Sequence, residues 1–325
     1  MTNSKHVLLT TAALLTLSLA PLVRAQEGIA PTQALVFEDT KTPQPLTPAN
    51  TTLKVDNHPT PITSLTQVIP TGAQVALLID DGLRTSFGRN LDDIRHFITT
   101  LPPGTEILVG YMQNGTVRAT PFTANHEAAA KAVRNPIGLP GISASPYFCL
   151  SEFVKHWPSE MSQSTSEPEG LAPIGDATPS GGHKARFVMM ITNGVDPYNG
   201  STSVLNQDSP YVQTAIRDAQ RSGAAIYSIY FTDAGIRGGR ASFSGQSYLT
   251  QVADATGGTA YYQGTFNPVS LIPFFEQFDH AIAETYVATF PASGKDTVRV
   301  KLTTNLSKTK LRHADEVRPG TRLAD

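Results

Sequence analysis

The sequence predicts an α/β fold: a doubly wound, mostly parallel sheet with one antiparallel edge strand, joined by a small β-rich appendage drawn from both terminal segments. Three observations predict it. Apolar runs recur at Val75–Ile79, Phe187–Thr192 and Ala225–Phe231, as in strands buried on both faces. Segments with helical apolar spacing alternate with them, which implies parallel neighbours joined by crossovers. Two of the runs end in polar, turn-forming residues, Asp80-Asp81-Gly82 and Asn193-Gly194, and ligands collect at such strand ends.

The first 25 residues read as an export leader. Lys5 and His6 precede an apolar run from Val7 to Leu22, and Val23-Arg24-Ala25 supplies small residues at −3 and −1, which places cleavage after Ala25. The run falls short of the roughly twenty residues that span a bilayer, and no later segment is apolar enough to do so. Cleavage would remove Lys5 and Arg24 and no acid, moving the formal charge from −2 to −4, a balance that argues against nucleic acid as a partner. Cys149 is the sole cysteine, so no internal disulfide can form; within Tyr147-Phe148-Cys149-Leu150 it reads as a buried small hydrophobe.

Residues 26–71 are rich in Pro and Thr and read as a β-rich segment, with a strand at Thr52–Asp56, a turn at Asn57-His58-Pro59 and a second run at Ile62–Ile69. The α/β region is placed at 72–290. After the strand ending at Asp80, Leu91, Ile94, Phe97 and Ile98 mark a helix stopped by Pro102-Pro103-Gly104. Glu106–Tyr111 and Thr116–Phe122 are strands joined through Asn114-Gly115, a hairpin turn that makes the second one antiparallel. Asn125 caps an Ala-rich helix expected to end near Asn135-Pro136, and Ser145–Trp157 is helical. Residues 158–183 are dominated by Ser, Glu, Pro, Gly and Thr and read as an exposed loop insertion. Helices are expected at Tyr211–Ser222 with Gly223 as C-cap, at Ser247–Thr256 and at Leu271–Glu284, with Ile236–Arg240 as a basic loop between. Short strands follow at Thr259–Tyr262 and Thr285–Phe290, and 291–325 holds one further strand and a tail.

The sequence carries no complete hydrolase or zinc-enzyme signature. Gly245-Gln246-Ser247-Tyr248-Leu249 lacks the closing glycine of a nucleophile elbow, His126-Glu127 has no second His at zinc spacing, and the eight histidines are scattered. Asp92-Asp93 opens a helix, where acids complement the dipole.

The order of Gln74–Asp81, Leu91–Leu101, Phe187–Asp196, Ala224–Phe231 and Ala253-Asp254-Ala255-Thr256-Gly257-Gly258 resembles a von Willebrand factor A domain over roughly Thr71 to Glu284, and in particular the exported bacterial branch with a β-rich segment ahead of it. The resemblance implies a Rossmann-like sheet and an adhesion or assembly role with a protein partner. It also implies a metal site built from a D-x-S-x-S loop, a Thr of a second loop and an Asp after the central strand. Carried over, Asp80 holds the first position, Gly82 and Arg84 stand where the serines would be, Ser143 stands in for the Thr, and Asn193 replaces the Asp.

Two readings of that site stay open. Thr85, Ser86, Asp81 and Asp196 offer further oxygens to a divalent cation, Mg²⁺ or Ca²⁺, held with Asp80, Ser143 and Asn193. Alternatively the site is metal-free, a remnant in which Arg84 takes the ion's place beside Asp80, or Arg84 points to solvent and the acids only cap the following helix. In either case Asp80, Asp81, Arg84, Thr85, Ser143, Asn193 and Asp196 are the candidate partner-binding residues, no catalytic residue is assigned, and an exported enzyme of unrecognised chemistry is the remaining alternative.

Overall fold

The structure, a computed structural model, describes residues 28–138, 145–158, 182–196, 209–231, 238–264 and 267–325; the predicted leader and most of the 158–183 insertion lie outside them. In chain order come β1 (Ala30–Asp39), β2 (Thr51–Val55), β3 (His58–Thr60), β4 (Ser64–Gln67) and β5 (Ala73–Asp80). A 3-10 segment, Thr85–Asn90, leads into α1 (Leu91–Thr100), followed by β6 (Glu106–Met112), β7 (Val117–Ala119), α2 (His126–Lys131) and α3 (Pro146–Lys155). Then come β8 (Ala185–Thr192), α4 (Val212–Ser222), β9 (Ala225–Tyr230), α5 (Gly238–Thr256), β10 (Ala260–Tyr261) and α6 (Ile272–Ala283). The C-terminal strands are β11 (Thr285–Ala292), β12 (Val298–Thr304), β13 (Lys310–His313) and β14 (Glu316–Val317).

The central sheet has the order β10-β9-β8-β5-β6-β7. All neighbours are parallel except β7, which runs antiparallel to β6 as the Asn114-Gly115 turn predicts; Gly115 takes φ 73°. Because β5 and β8 are adjacent and the chain winds outward from them in both directions, the sheet reverses between these two strands. Every residue of β5 and β8 is buried, and side chains alternate between two cores. Val75, Leu77 and Ile79 pack with Ile94, Phe97 and Ile98 of α1 and Phe275 and Phe278 of α6. Ala76 and Leu78 face Leu150 and Val154 of α3, Ala215 and Ala219 of α4 and Val252 of α5. The Phe97 and Phe275 rings stack at 4.3 Å, fixing α1 against α6.

The appendage is a two-sheet sandwich with its own core. Sheets β13-β1-β11-β4 and β14-β12-β2-β3 enclose Val36, Leu53, Phe290, Val300 and Leu302. Along β1, Val36 enters this core while Leu35 and Phe37 enter the core beneath α6, so this sheet is a wall shared by two hydrophobic interiors.

Several expectations change here. Thr285–Phe290, expected as the last strand of the α/β region, pairs antiparallel with β1 and β4 of the sandwich. Its apolar run looks like a parallel strand because the shared wall buries it on both faces. β1, for which the sequence alone gives no alternating strand signal, has the same double burial. The turn expected at Asn57-His58-Pro59 lies one residue earlier, where Asp56 and Asn57 take φ 47° and 66° and His58–Thr60 returns as β3. α2 stops at Lys131, short of Asn135-Pro136, although Asn125 caps it by accepting from the Ala128 N–H at 3.0 Å. α5 begins at Gly238, so Gly238-Gly239-Arg240 is helical rather than loop.

Candidate functional site

The carboxyl ends of β5 and β8 meet at the reversal point of the sheet, where an open α/β sheet leaves a crevice. Asp80 closes β5 and is 4% exposed. Its Oδ1 accepts from the Gly82 N–H at 2.8 Å, and its Oδ2 accepts from the Thr192 hydroxyl at 2.7 Å. The same hydroxyl accepts from the Gly194 N–H at 3.2 Å. Asp80 thereby orders its own turn and ties it to the loop after β8.

Asp81 points elsewhere. It is fully buried, and its carboxylate accepts from Arg134 Nη1 at 2.8 Å, from the Ile137 N–H at 3.1 Å and from Gln113 Nε2 at 2.9 Å. Burial pushes this carboxyl up, but the bonds from Arg134, Gln113 and Ile137 outweigh it and hold it below the usual aspartate range. The Arg134 guanidinium lies over the Tyr111 ring, 3.7 Å from its centroid, and the Tyr111 hydroxyl donates to the Arg134 carbonyl at 2.7 Å. This network pins the segment after α2 onto the end of β5.

After β8, Asn193 accepts from the Val195 N–H at 2.9 Å through Oδ1, an Asx turn. Asp196 is fully buried and accepts from the Ser209 hydroxyl at 2.8 Å. Gly194, at φ 67°, faces Gly245 of α5: a Cβ on Gly194 would lie 2.6 Å from the Gly245 carbonyl oxygen. The Tyr147 hydroxyl donates to the Gly194 carbonyl at 2.7 Å, and burial, with Asp196 nearby, pushes this phenol well up.

Of the predicted site residues, Asp80 and Asn193 lie at the ends of adjacent strands, Asp81 faces the opposite flank, and Asp196 is held by Ser209. Arg84 is exposed, as is Ser86. Ser143 and the Thr85 side chain lie outside the described residues. Thr192, Arg134 and Gln113 were missed. Thr192 had a signal, as the polar last residue of an otherwise apolar strand; Gln113 had none beyond its place at the hairpin turn, and Arg134 had none.

Among the described residues, the donor set does not fit a hard divalent ion that wants six oxygens in octahedral array. Both Asp80 oxygens and the Asn193 amide oxygen already accept N–H or O–H bonds, and Gly82 and exposed Arg84 offer no oxygen side chain. Among the described residues, no group of three or more His, Cys, Asp or Glu could hold a metal. Cys149 is buried and bonded to the carbonyls of Gln113 and Thr116, and burial pushes its thiol up to about 12, which disfavours the thiolate.

No family model matches the chain, and no curated protein matches it. Among solved structures it is similar to a von Willebrand factor type A protein from Catenulispora acidiphila, at TM-score 0.41 and 11% identity over 90% of this chain and 74% of that one. It is similar to the human COPII-coat protein Sec24c, at TM-score 0.42 and 8% identity over 78% of this chain and 44% of that one. It is also similar to the pilus adhesin SpaC from Lactobacillus rhamnosus GG, at TM-score 0.39 and 8% identity, again over 78% and 44%. The chain thus spans less than half the length of the latter two.

Proposed function

We propose that this chain is an exported, non-catalytic protein-binding module of von Willebrand factor A type, serving adhesion or assembly in the periplasm or outside the cell. Its contact surface is the set of loops at the carboxyl ends of β5 and β8, and its ancestral metal site is a remnant. One observation carries the reading: Asp80 and Asp81 are both buried and spend their described hydrogen bonds inside the domain, so they shape the loop, while Arg84, Ser86 and Arg89 stand exposed on it. A rigid loop with exposed polar side chains binds a partner at little ordering cost.

The test is a photo-crosslinking residue at position 84 or 86, with position 310 of β13 as the control face. One recurrent protein adduct on intact cells, formed from 84 or 86 and not from 310, supports the proposal; adducts without face preference, or none, sink it. A thermal-shift series with EDTA, Mg²⁺, Ca²⁺ and Mn²⁺ addresses the remnant site. No ion-dependent change is expected, and strong stabilisation by one ion would establish metal-dependent adhesion instead. Turnover in a screen of common hydrolase substrates would overturn the non-catalytic assignment.

A further inference from the structure

At the opposite end of the molecule, beneath the amino-terminal ends of the parallel strands, lies a cleft of about 750 Å³. Lys155 at the end of α3, Arg186 at the start of β8 and Arg221 near the end of α4 form one side. Arg318 and Arg322, from the tail after β14, form the other, and His183 adds an imidazole. Among the described lining residues Asp218 is the one acid, against five Lys and Arg, on a chain whose formal charge is −2. The concentration of positive charge is therefore local and does not follow from composition.

Three of these cations have internal work. Lys155 pairs with Glu152 at 2.8 Å and with Asp218 at 3.4 Å. Arg221 forms a two-pronged pair with Asp296, both contacts at 2.8 Å. Arg186 donates to the Ser222 carbonyl at 3.1 Å, and its guanidinium stands 5.3 Å from the Trp157 ring centroid. Asp218 is itself shared between Lys155, Arg221 and the Ser151 hydroxyl. Arg318 and Arg322 are exposed and make no ion pair among the described residues.

Those two arginines are also held in place. Arg318 and Thr321 bracket a tight turn, with the Thr321 N–H and hydroxyl on the Arg318 carbonyl at 3.1 and 2.7 Å. Gly320, at φ 83°, donates to the Thr32 hydroxyl at 2.9 Å. Gln33 of β1 clamps the tail beyond: its Oε1 accepts from the Leu323 and Ala324 N–H groups at 2.5 and 2.9 Å, and its own N–H donates to Thr321. Leu323 is fully buried. The turn is fixed before any ligand arrives, so the ordering cost of using its guanidiniums falls on little more than the side chains.

We infer that this cleft binds a small ligand carrying two or more oxyanion groups, with Arg318 and Arg322 gripping them. The volume falls in the small-molecule range, and guanidinium forks match phosphoryl and carboxylate oxygens. The cleft sits where the α/β unit meets the tail of the sandwich, a junction of the kind that favours ligand sites.

The probes are inorganic tripolyphosphate and citrate, titrated calorimetrically into the purified protein at low and at physiological ionic strength. Binding of at least one probe, weakened by salt, is expected. In the R318A/R322A variant the affinity is expected to fall about tenfold or more, since two charge-assisted contacts are lost. The charge-matched R118A/K310A variant alters exposed residues that do not line the cleft and is expected to bind as the parent does. Absence of binding, a smaller loss in R318A/R322A, or an equal loss in R118A/K310A would overturn the proposal. Unchanged melting temperatures without ligand confirm that both variants fold.

Discussion

Arg134 Nη1 lies 2.8 Å from the Oδ1 of Asp81, whose carboxylate is fully buried while the arginine side chain remains 35% exposed. The pair joins residues 53 positions apart and makes the first charged residue after β5 a structural anchor. Asp81→Asn is expected to cost about 2–3 kcal/mol, because the guanidinium then faces a neutral amide. Since the folded carboxyl titrates below its ordinary value of 3.8, the contribution is complete above that value and is lost as pH falls beneath it. Urea midpoints of parent and variant should therefore converge in acid; a gap that persists there would show that packing, not charge, carries the effect.

Thr192 is the second anchor. Thr192→Val keeps the shape and leaves the buried Asp80 Oδ2 without this donor, at an expected cost of about 1–3 kcal/mol. Thr192→Ser should recover most of it. Equal stability of the Val and Ser variants in denaturant melts would refute the hydrogen bond's role.

The loop after β8 and helix α5 meet backbone to backbone at Gly194 and Gly245. Gly194→Ala combines a left-handed φ with a contact no side chain can relieve, and should cost about 2–4 kcal/mol. Gly264 is the control, with φ 61° and nothing within 4 Å of a Cβ; Gly264→Ala should cost only about 1 kcal/mol. Similar losses in both would mean that φ alone matters.

Asp279, on α6, has a buried Oδ1 without a hydrogen-bond partner. Burial, aided by the charge of Glu276, pushes its carboxyl up to about 7. Asp93 and His96 of α1 line the same small cavity. As pH rises from about 4 to 7 the unfolded chain gives up this proton first, so stability falls through that window and stays lower above it. Asp279→Asn should remove the fall, a gain of about 1–2 kcal/mol near pH 8 after allowing for solvent screening at this half-buried site. Melting temperatures near pH 5 and pH 8 provide the check, and an unaltered pH slope in the variant would sink it.

If the site is a remnant of a metal loop, restoring its lost ligands should restore ion affinity. R84S/N193D returns a hydroxyl at position 84 and a carboxylate at position 193, and is expected to bind Mg²⁺ measurably where the parent does not. No heat of binding for the variant would refute the remnant reading.

Much of the α/β layering was legible because its signals are local. The Val75–Ile79 and Phe187–Thr192 runs, the Asn114-Gly115 turn and the Gly223 cap each follow from residues within a few positions of one another. The sandwich was legible only as β-rich ends. Its wall, β1 and β11, joins residues 248 (Phe37 and Thr285) to 262 (Ala30 and Ala292) positions apart, and double burial erases the alternation that would mark those strands as antiparallel.

The site divides the same way. That acids stand at the end of β5 is a property of the chain read in order, as is the mismatch of Gly82, Arg84 and Asn193 with the metal loop that the family resemblance implies. What those acids do belongs to the folded molecule. Asp80 meets Thr192 across 112 positions, and Asp81 turns from the crevice to Arg134. Burial makes an unpaired carboxylate too costly to leave, so each acid is claimed by whichever donor the packing brings near, and that choice is invisible until distant segments are in contact.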